Sequence, residues 1–406
     1  MDSILQDIFN EFETHGKQKE ISIKQVRDIM GERSESIVLY GAGSAGIALA
    51  QYLRGAGFDI LAFTDGSPKK WGSVVEGLEV IAPEELSKRF KGPLFIIVTI
   101  NTDGKQYCRS FEEALRVMGH QGVHKLLHDL GHDMVVDYPV FRRCYELFKG
   151  DKYNLPSCSD VYCMQRNKDK IEEALSLFEE PYSREVYYSL LRFRLLDDSI
   201  PVPTTSAESD YFEYDLYSKI YNENFVDCGA YDGNTLARFL TYTDLKFNSY
   251  TALEPDSENI AKFEKRVAAM ALDIQKKITL FPEAVWRRKG ELSFYELKGP
   301  GSFAADLGNR TVPCTDLDSV LKGKEPTLIK MNIEGSEKAA LEGARNIISD
   351  CRPVLVIANY HKTWDLWELP LIMKEMYAGY KFYLRSYMNH ISFKCYAVPP
   401  ERCTNL

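Results

Sequence analysis

Two aspartates and two glycines lie in a tight turn that follows an apolar stretch, in FVDCGAYDG at residues 225–233. Asp227 and Asp232 flank Gly229, and Gly233 closes the turn before the helical sequence NTLARFL. Carboxylates in such a turn repel phosphate at close range, so they favour a ligand that carries positive charge and lacks phosphate. S-adenosylmethionine has both properties, with a sulfonium, an ammonium and no diphosphate. The alternative is an α/β turn whose acids bind no ligand.

The strands that follow this turn bring more polar residues to the same edge of a sheet. Glu254 ends SYTALEP, where a carboxylate could accept hydrogen bonds from both hydroxyls of a ribose. ITLFPEAVW is expected to be one strand that brings Glu283 and Ala284 beside the adenine. The candidate cofactor residues are Asp227, Gly229, Tyr231, Asp232, Gly233, Asn234, Glu254, Pro255, Glu283 and Ala284.

A second group of polar residues ends the later strands and could act on a methyl acceptor. TLIKMNIEG delivers Asn332 and Glu334, and PVLVIANYH delivers His361. Ligands of an open α/β sheet lie beyond the carboxyl ends of its strands, so these catalytic candidates are expected to face the cofactor. His361, whose ordinary pKa is about 6.5, is the candidate general base, and such a base contributes roughly 10²–10⁴-fold. A purely orienting, structural or metal-bound histidine stays open.

An earlier glycine turn has the opposite chemistry. IVLYGAGSAG, at residues 37–46, contains Gly41, Gly43 and Gly46 with no acid between them, and Asp65 ends the next strand. Backbone amides and a helix N-terminus in such a turn suit pyrophosphate, which favours NAD or the diphosphate of a nucleotide-sugar. The same glycines also occur where a helix packs tightly on a sheet, so a structural turn is the alternative.

Alternating strands and helices are predicted to position these turns. Residues 37 to about 130 alternate strand and helix, residues 140–200 are helical, and a second alternating block begins at NFVDCG. KFYLRSY and SFKCYAVP are too close for a parallel crossover and predict an antiparallel hairpin. The fold class is therefore α/β, with two Rossmann-like doubly wound domains joined by a helical segment. The C-terminal one is expected to be a class I methyltransferase fold with a terminal antiparallel hairpin.

The predicted domain boundaries follow these changes in pattern. They are a helical arm at 1–30, an N-terminal Rossmann-like domain at 31–135, a helical connector and linker at 136–210, and a methyltransferase-type domain at 211–400. PVPTTSAES, residues 201–209, is the candidate linker or lid.

Composition limits the class of protein. The 406 residues are enough for two domains, and 45% hydrophobic with 27% charged residues is ordinary for a soluble globular protein. A net charge of −9 argues against electrostatic binding to nucleic acid or anionic membrane. No apolar run approaches the roughly 20 residues of a membrane helix. The acidic start predicts no secretory signal, and nine cysteines without a repeated spacing indicate reduced thiols in a cytoplasm. The expected partner is a small-molecule or glycan acceptor, and an oligomer stays open.

Seven ordered stretches resemble the FkbM-type methyltransferases, over about residue 210 to 398. They are VDCGAYDGNT, YTALEPDSEN, FPEAVW, TVPCTDLDSV, LIKMNIEGSEKAALEGA, NYHKTWDLWELP and KFYLRSY. Residues 1–130 more loosely resemble the nucleotide-binding-like domain often found ahead of this domain, mainly in GAGSAG, FTDGSPKKWG and GLEVIAPEEL. The resemblance implies S-adenosylmethionine-dependent O-methylation of a hydroxyl on a sugar, glycan precursor or natural product.

Asn332 departs from the family pattern, which usually has aspartate before I-E-G. The change removes a charge, keeps a side-chain oxygen and adds two donors. If the aspartate binds a divalent cation or acts as the base, this chain is impaired in that step, although Glu334 still supplies a carboxylate for a weak Mg²⁺ site. The alternative function is an NAD(P)-dependent oxidoreductase or nucleotide-sugar-binding protein built on the GAGSAG turn, with an inactive methyltransferase domain.

Other potential metal ligands lack a suitable arrangement. Four histidines recur every four residues, at His120, His124, His128 and His132. Gly122 and the strand-like VHKLL are expected to interrupt a shared helix face. Cys158 and Cys163 have one spacing and no partner pair, unlike a zinc framework. The sequence therefore leaves the metal ligands, if any, unknown.

Overall fold

The structure of the chain is a computed structural model that describes ten segments. They are residues 2–16, 31, 36–55, 57–100, 122–137, 161–196, 202–295, 303–304, 310–387 and 392–404. The chain divides into two compact units, the first comprising Met1–Arg166 and Leu191–Ile200, the second Asn167–Leu190 and Pro201–Leu406. The four domain boundaries expected from the sequence remain predictions beside this division.

The first unit contains short apolar strands and several helices. The described strands are β1 (Ile37–Tyr40), β2 (Ile60–Thr64), β3 (Val74–Val75), β4 (Leu78–Ile81), β5 (Phe95–Val98) and β6 (Val135–Asp137). The described α-helices are α1 (Ser3–Glu11), α2 (Ser44–Gly55), α3 (Leu86–Arg89), α4 (Gly122–Asp129) and α5 (Val161–Arg166). The helix expected at SFEEALRVMGH lies outside the described residues.

These strands form one sheet in the order β3-β4-β2-β1-β5-β6. β3 and β4 are antiparallel, and all other neighbours are parallel. β1 and β5 are buried along their whole length, as expected for strands covered on both faces. The chain order reverses between β1 and β5, which is the arrangement of a doubly wound sheet.

Helix α4 corrects one prediction. The sequence analysis expected VHKLL to be strand-like, whereas the structure places it inside a helix. His124 and Leu127 are buried at helical spacing while Lys125 and Leu126 are exposed. A short apolar segment fits strand and helix alike by periodicity, so this sequence could not decide between them.

The second unit contains a longer set of strands and helices. The described strands are β7 (Asn224–Cys228), β8 (Ser249–Leu253), β9 (Ile278–Phe281), β10 (Ala284–Val285), β11 (Gly290–Tyr295), β12 (Phe303–Ala304), β13 (Arg310–Thr315), β14 (Leu328–Met331), β15 (Val354–Ala358), β16 (Lys381–Ser386) and β17 (Phe393–Val398). The described α-helices are α6 (Lys168–Ser176), α7 (Pro181–Leu196), α8 (Asn234–Tyr242), α9 (Ser257–Ala268), α10 (Leu272–Gln275), α11 (Leu317–Val320), α12 (Glu337–Glu342), α13 (Arg345–Cys351) and α14 (Asp365–Met376). The last residues of α7, from Leu191 onward, belong to the first unit. In the described segments, no helix combines the length and apolarity needed to cross a bilayer.

The main sheet of this unit has the order β16-β17-β15-β14-β7-β8-β9. Five strands, β7, β8, β9, β14 and β15, pair in parallel. β17 is antiparallel to both β15 and β16, so the predicted terminal hairpin is confirmed. The chain order reverses between β7 and β14. The α/β fold class and the methyltransferase-type sheet are therefore as expected.

A second, four-stranded sheet in the order β10-β13-β11-β12 was not predicted. ITLFPEAVW, expected to be one strand, is divided between β9 of the main sheet and β10 of the small one. Pro282 lies between them, and proline cannot donate to a strand ladder. Glu283 therefore follows a break in the strand instead of continuing along the main sheet.

An aromatic cluster supports β7 and the turn after it. The ring of Phe225 stacks on Phe239 of α8, with centroids 4.8 Å apart, and meets Tyr250 of β8 edge-on at 5.2 Å. All three side chains are buried. Such aromatic pairs contribute about 0.5–1.5 kcal/mol each beyond their burial. The cluster joins the strand before the turn to the helix after it, so it holds both ends of the turn.

Candidate active site

A cavity of about 340 Å³ lies at the carboxyl ends of β7, β8 and β14. Ligands of open α/β sheets bind at this edge, where the strand order reverses. Of the residues predicted from sequence, eight line it: Gly229, Tyr231, Asn234, Glu254, Pro255, Ala284, Asn332 and Glu334. The remaining ones of this unit, all described, lie outside its lining: Asp227, Asp232, Gly233, Glu283 and His361. The candidates of this unit chosen from the sequence therefore lie at or near the cavity, and the structure shows which of them line it and which lie outside its lining.

The turn after β7 requires glycine for two physical reasons. Gly229 has φ +79°, and Gly233 has φ +82°, in the left-handed region that glycine adopts most easily. A Cβ atom on Gly229 would lie 2.2 Å from the carbonyl oxygen of Asn332. This close approach packs the turn after β7 directly against the end of β14. The two strand ends that border the cavity are thus fixed to each other.

Asp227 stabilises the turn without lining the cavity. Its side chain is fully buried, and its Oδ1 lies 2.8 Å from the Nζ of Lys330. Tyr250 donates a hydrogen bond to its Oδ2. Lys330 also donates to the carbonyl oxygens of Cys228 and Gly229, at 3.3 Å and 2.7 Å. The sequence analysis treated Asp227 as an unpaired acid, but Lys330 neutralises it.

Asp232 also has a partner. Its Oδ1 accepts a hydrogen bond from the backbone amide of Asn234 at 3.1 Å, and its Oδ2 lies 3.8 Å from the guanidinium of Arg266. Arg266 donates to the backbone oxygen of Asp232 at 2.9 Å. Asp232 therefore bonds the first amide of α8, and the negative charge expected in the turn is largely balanced.

Glu254 joins the end of β8 to the turn. Its Oε2 accepts a hydrogen bond from the amide of Tyr231 at 2.8 Å, and its Oε1 accepts one from the amide of Asp256 at 3.0 Å. Burial raises the pKa of Glu254, and these two amides oppose the rise. The side chain of Asn259 also hydrogen-bonds to this carboxylate. The acceptor capacity that remains can take a hydrogen bond from a ligand.

One side of the cavity is apolar. Ala284 and Val285 of β10 and Leu292 and Phe294 of β11 line it. Glu283, in contrast, is half-buried and outside the lining. The unpredicted small sheet thus supplies the wall that the sequence analysis assigned to Glu283 and Ala284 together.

Asn332 lies between two tyrosine hydroxyls. Its Nδ2 donates a hydrogen bond to the hydroxyl of Tyr211 at 3.1 Å, and its Oδ1 accepts one from the hydroxyl of Tyr360, also at 3.1 Å. Tyr211 lines the cavity together with Asn332, whereas Tyr360 does not. Burial raises the pKa of both tyrosines, so both hydroxyls stay protonated near neutral pH.

Glu334 and His361 are neighbours, but only Glu334 reaches the cavity. Glu334 has φ +53° and is one-third exposed, whereas the imidazole of His361 is 4% exposed. His361 Nε2 lies 3.7 Å from Oε1 of Glu334, and its Nδ1 lies 2.9 Å from Oε1 of the buried Glu337. Nε2 is too far from Glu334 for a hydrogen bond, and Nδ1 lacks the angles of one, so both contacts are ionic.

The charge state of His361 follows from these neighbours. Burial would lower its pKa, but the carboxylates of Glu337 and Glu334 outweigh burial and hold the pKa well above its ordinary value. Burial would likewise raise the pKa of Glu337, and the imidazolium holds it below its ordinary value. The two carboxylates therefore favour the imidazolium form of His361, in which neither ring nitrogen has a lone pair to accept a proton.

Three buried groups behind the cavity have the composition of a metal site. Ligand atoms of Glu337, His361 and Asp365 lie within 4.8 Å of one another. Burial and the nearby Glu337 carboxylate raise the pKa of Asp365 to about 7. The cluster could hold a divalent cation, or it could be neutralised by protons on His361 and Asp365.

The glycine turn of the first unit is hydrogen-bonded to Asp65 at the end of the neighbouring strand. Asp65 accepts hydrogen bonds from the amides of Ala42 at 3.0 Å and Ser67 at 2.9 Å, and from Lys70 at 2.8 Å. A Cβ on Gly41 or Gly46 would lie 2.6 Å and 2.0 Å, respectively, from protein atoms. Gly43 has no atom within 4 Å of such a position. Gly41, Gly46 and Asp65 thus have structural reasons to be present without a nucleotide.

Several residues of the site were not found by sequence reasoning. Lys330 is a lysine inside the apolar strand LIKM, which was an available signal for a buried partner acid. Arg238 of α8 and Asn259 of α9 line the cavity, but nothing in their spacing indicated this. Glu337 is in the quoted stretch IEGSEKAAL, yet its pairing with His361 depends on the long-range packing of α12 against α14.

Comparison with known proteins gives three findings. Residues 227–387 match the family model described as the methyltransferase FkbM domain. No curated protein matches the chain. A crystal structure of methyltransferase FkbM from Methylobacillus flagellatus KT is 20% identical with a TM-score of 0.63, covering 97% of this chain and 100% of that one.

A second solved structure, an rRNA methylase from Streptococcus thermophilus, is 14% identical with a TM-score of 0.30 and covers 47% of this chain and 92% of that one. The similarity to the Methylobacillus protein shows a shared fold over nearly the whole chain. The family match begins at Asp227 and ends at Tyr387, so it includes the turn, the end of β16 and all of the cavity lining except Asp210 and Tyr211. Residues 227–387 therefore match the FkbM methyltransferase domain, and the shared fold is consistent with that match.

Proposed function

We propose that this chain is an S-adenosylmethionine-dependent O-methyltransferase acting on a hydroxyl of a sugar, glycan precursor or natural product. The observation that carries the proposal is the cavity at the reversal of strand order, with Glu254 and the turn after β7 on its walls. The FkbM domain supports methyl transfer, and the acceptor class follows from the family resemblance.

The turn after β7 disfavours a dinucleotide for a reason other than charge. A pyrophosphate needs free backbone amides at the start of the helix. Here the amide of Tyr231 is bonded to Glu254, and the amide of Asn234 is bonded to Asp232. Two of the amides available to a diphosphate in this turn therefore already have partners, whereas S-adenosylmethionine needs no such amides.

The residues of the cavity fit the separate parts of S-adenosylmethionine. Glu254 would accept hydrogen bonds from the ribose hydroxyls, and the apolar side chains of Val285 and Phe294 would contact the adenine. Arg238 lines the cavity, and its guanidinium suits the carboxylate of the methionine part. When bound, S-adenosylmethionine supplies the methyl group on a sulfonium leaving group.

Glu334 is the proposed catalytic carboxylate, with His361 as its positioning residue. The hydroxyl of an acceptor becomes strongly acidic as its oxygen gains a methyl group, so a carboxylate is basic enough to take the proton late in the step. Glu334 lines the cavity, and the imidazolium of His361 lies behind it. The earlier assignment of His361 as the base is thereby moved to Glu334, and Asn332 positions neighbouring tyrosines.

Replacement of Glu254 tests the cofactor part of this proposal. Glu254→Gln keeps the size of the side chain but removes the charged acceptor, so the Kd for S-adenosylmethionine should rise roughly ten- to hundredfold. Glu283→Gln is the matched control, because Glu283 is outside the cavity lining, and its Kd should equal that of the wild type. Calorimetry with S-adenosylmethionine and NAD provides both readouts. Binding of NAD alone would contradict the proposal.

A further inference from the structure

We propose that Tyr211 donates a hydrogen bond from the cavity wall to an oxygen of the bound ligands, and that Asn332 sets this direction. The inference rests on the proposed function. It assigns a specificity-determining role to a residue that precedes β7 by more than ten positions. The recognised group is an oxygen acceptor, supplied either by the methyl-acceptor substrate or by the methionine carboxylate of the cofactor.

The orientation of the Asn332 amide follows from Tyr360. The hydroxyl of Tyr360 lies outside the cavity lining on a half-buried side chain, and it donates its proton to a protein acceptor. Oδ1 of Asn332 supplies that acceptor at 3.1 Å. The other end of the amide, Nδ2, must then face Tyr211, which is the arrangement found.

The proton of Tyr211 is left for a ligand. A tyrosine hydroxyl has one proton and can also accept hydrogen bonds, and Asn332 uses it as an acceptor. Across the described segments, the hydroxyl of Tyr211 donates to no protein atom, although a side chain 9% exposed has little access to bulk water. Because Tyr211 lines the cavity, a ligand oxygen there can receive this proton.

The position of Tyr211 is tightly fixed. The ammonium groups of Lys330 and Lys394 lie 5.3 Å and 4.7 Å from the centre of its ring. Lys394 is held in turn by Asp210, whose Oδ1 lies 2.8 Å away. The backbone oxygen of Tyr211 accepts a hydrogen bond from Tyr217 at 2.6 Å, and its φ is +75°. A non-glycine residue in this conformation is held there by its surroundings, and such residues cluster at ligand sites.

Residue 332 therefore controls the polarity of this wall. An aspartate there has no donor, so it would accept hydrogen bonds from Tyr211 and Tyr360 together. The proton of Tyr211 would then be used within the protein, and its oxygen would face the ligand as an acceptor. With asparagine the direction of the hydrogen bond between residues 332 and 211 is reversed, so the hydroxyl of Tyr211 can donate to a ligand. Asparagine in place of aspartate thus changes which ligand atoms this wall can bind, from hydrogen-bond donors to oxygen acceptors.

Two substitutions test the inference, with Tyr221→Phe as the control because Tyr221 is 59% exposed and outside the lining. Tyr211→Phe removes the donor, and Asn332→Asp redirects it. The full chain is assayed for binding of S-adenosylmethionine by calorimetry, and for transfer of radiolabelled methyl groups to a panel of sugars, nucleotide-sugars and simple glycosides. Thermal unfolding shows whether each variant is folded.

If the oxygen belongs to the acceptor, both variants should lower kcat/KM for the acceptor roughly ten- to hundredfold with an unchanged Kd for the cofactor. If it belongs to the methionine carboxylate, the Kd should rise by a similar factor. In either case the double variant should be about as impaired as the worse single variant, because both changes remove one interaction.

Folded variants that match the active wild type in kcat/KM and in Kd would overturn the inference alone. A wild-type chain that binds no S-adenosylmethionine, or that transfers no methyl group to the panel, would overturn the proposed function and the inference with it. An effect of equal size in Tyr221→Phe would also count against a specific role for Tyr211.

Discussion

The ammonium of Lys330 lies 2.8 Å from the carboxylate of Asp227, and both side chains are almost completely buried. The pair connects β14 to β7 across the point where the strand order reverses. Lys330 also holds two backbone carbonyls of the turn that follows β7. One buried cation thus organises the edge of the sheet on which the cavity is built.

Removing this cation should destabilise the second unit. In the described part of the chain, Lys330→Met leaves Asp227 as a buried charge with no cation beside it, and only Tyr250 still donates to it, which costs about 3–5 kcal/mol in comparable cases. The free energy of unfolding in urea measures the loss. Lys219→Met is the control, since Lys219 pairs with the exposed Asp244, and it should leave the free energy of unfolding nearly unchanged. Equal effects of the two substitutions would contradict a central role for Lys330.

Adding one carbon atom at Gly229 should damage both stability and cofactor binding. In Gly229→Ala the new Cβ would lie 2.2 Å from the carbonyl oxygen of Asn332, so the ends of β7 and β14 must separate. Gly323→Ala is a matched control: Gly323 has φ +75°, close to the +79° of Gly229, and no atom lies within 4 Å of its Cβ position.

The control isolates the backbone strain of an alanine at positive φ, which is on the order of 1 kcal/mol. Gly229→Ala should lower the free energy of unfolding in urea by more than this amount. It should also weaken binding of S-adenosylmethionine, whereas Gly323→Ala should leave that binding unchanged. If both alanines cost the same, the close approach of the two strand ends has no energetic consequence.

The charge of His361 predicts a pH dependence of stability. Its folded pKa is raised above the unfolded value of about 6.5. The imidazolium therefore contributes stability that is fully present below about pH 6.5 and is lost as the pH rises through the folded pKa. The difference in unfolding free energy between the wild type and His361→Gln should fall over this range. A difference that grows with pH would show that His361 is neutral in the folded chain.

Chelators should leave methyl transfer unchanged. The carboxylate of Glu334 faces the imidazolium of His361, and the buried cluster of Glu337, His361 and Asp365 can be neutralised by protons alone. Neither arrangement requires Mg²⁺ or another cation. Elemental analysis of the purified chain should show less than one equivalent of any divalent metal. One equivalent of tightly held metal, lost in His361→Gln, would instead assign the cluster as a metal site.

Local patterns in the sequence predicted the main sheet and the position of the cavity well. Apolar runs ending in glycine or acids, as at Asp227 and Glu254, mark strands whose carboxyl ends share one edge. The polar partners were less predictable, because Lys330 and Glu337 lie more than 20 residues from Asp227 and His361. Their pairing depends on which helices and strands pack together. The raised pKa of His361 follows from that packing, because it places Glu337 beside the imidazole.

Short elements were the other source of error. β10 has two residues, Ala284 and Val285, and its pairing with β13 was not readable from FPEAVW. The apolar wall of the cavity comes from this pairing and from β11. A two-residue strand has no periodicity to detect, so only its long-range partner defines it.

The two units share one detail of construction at their glycine turns. In the first, Asp65 at the end of β2 bonds the amide of Ala42, and in the second, Glu254 at the end of β8 bonds the amide of Tyr231. A residue at the end of the neighbouring strand therefore stabilises each turn before a ligand binds. Ligand binding at either turn should then involve little loss of backbone freedom. In the first unit, the shape of the turn alone is no sign that a nucleotide binds there.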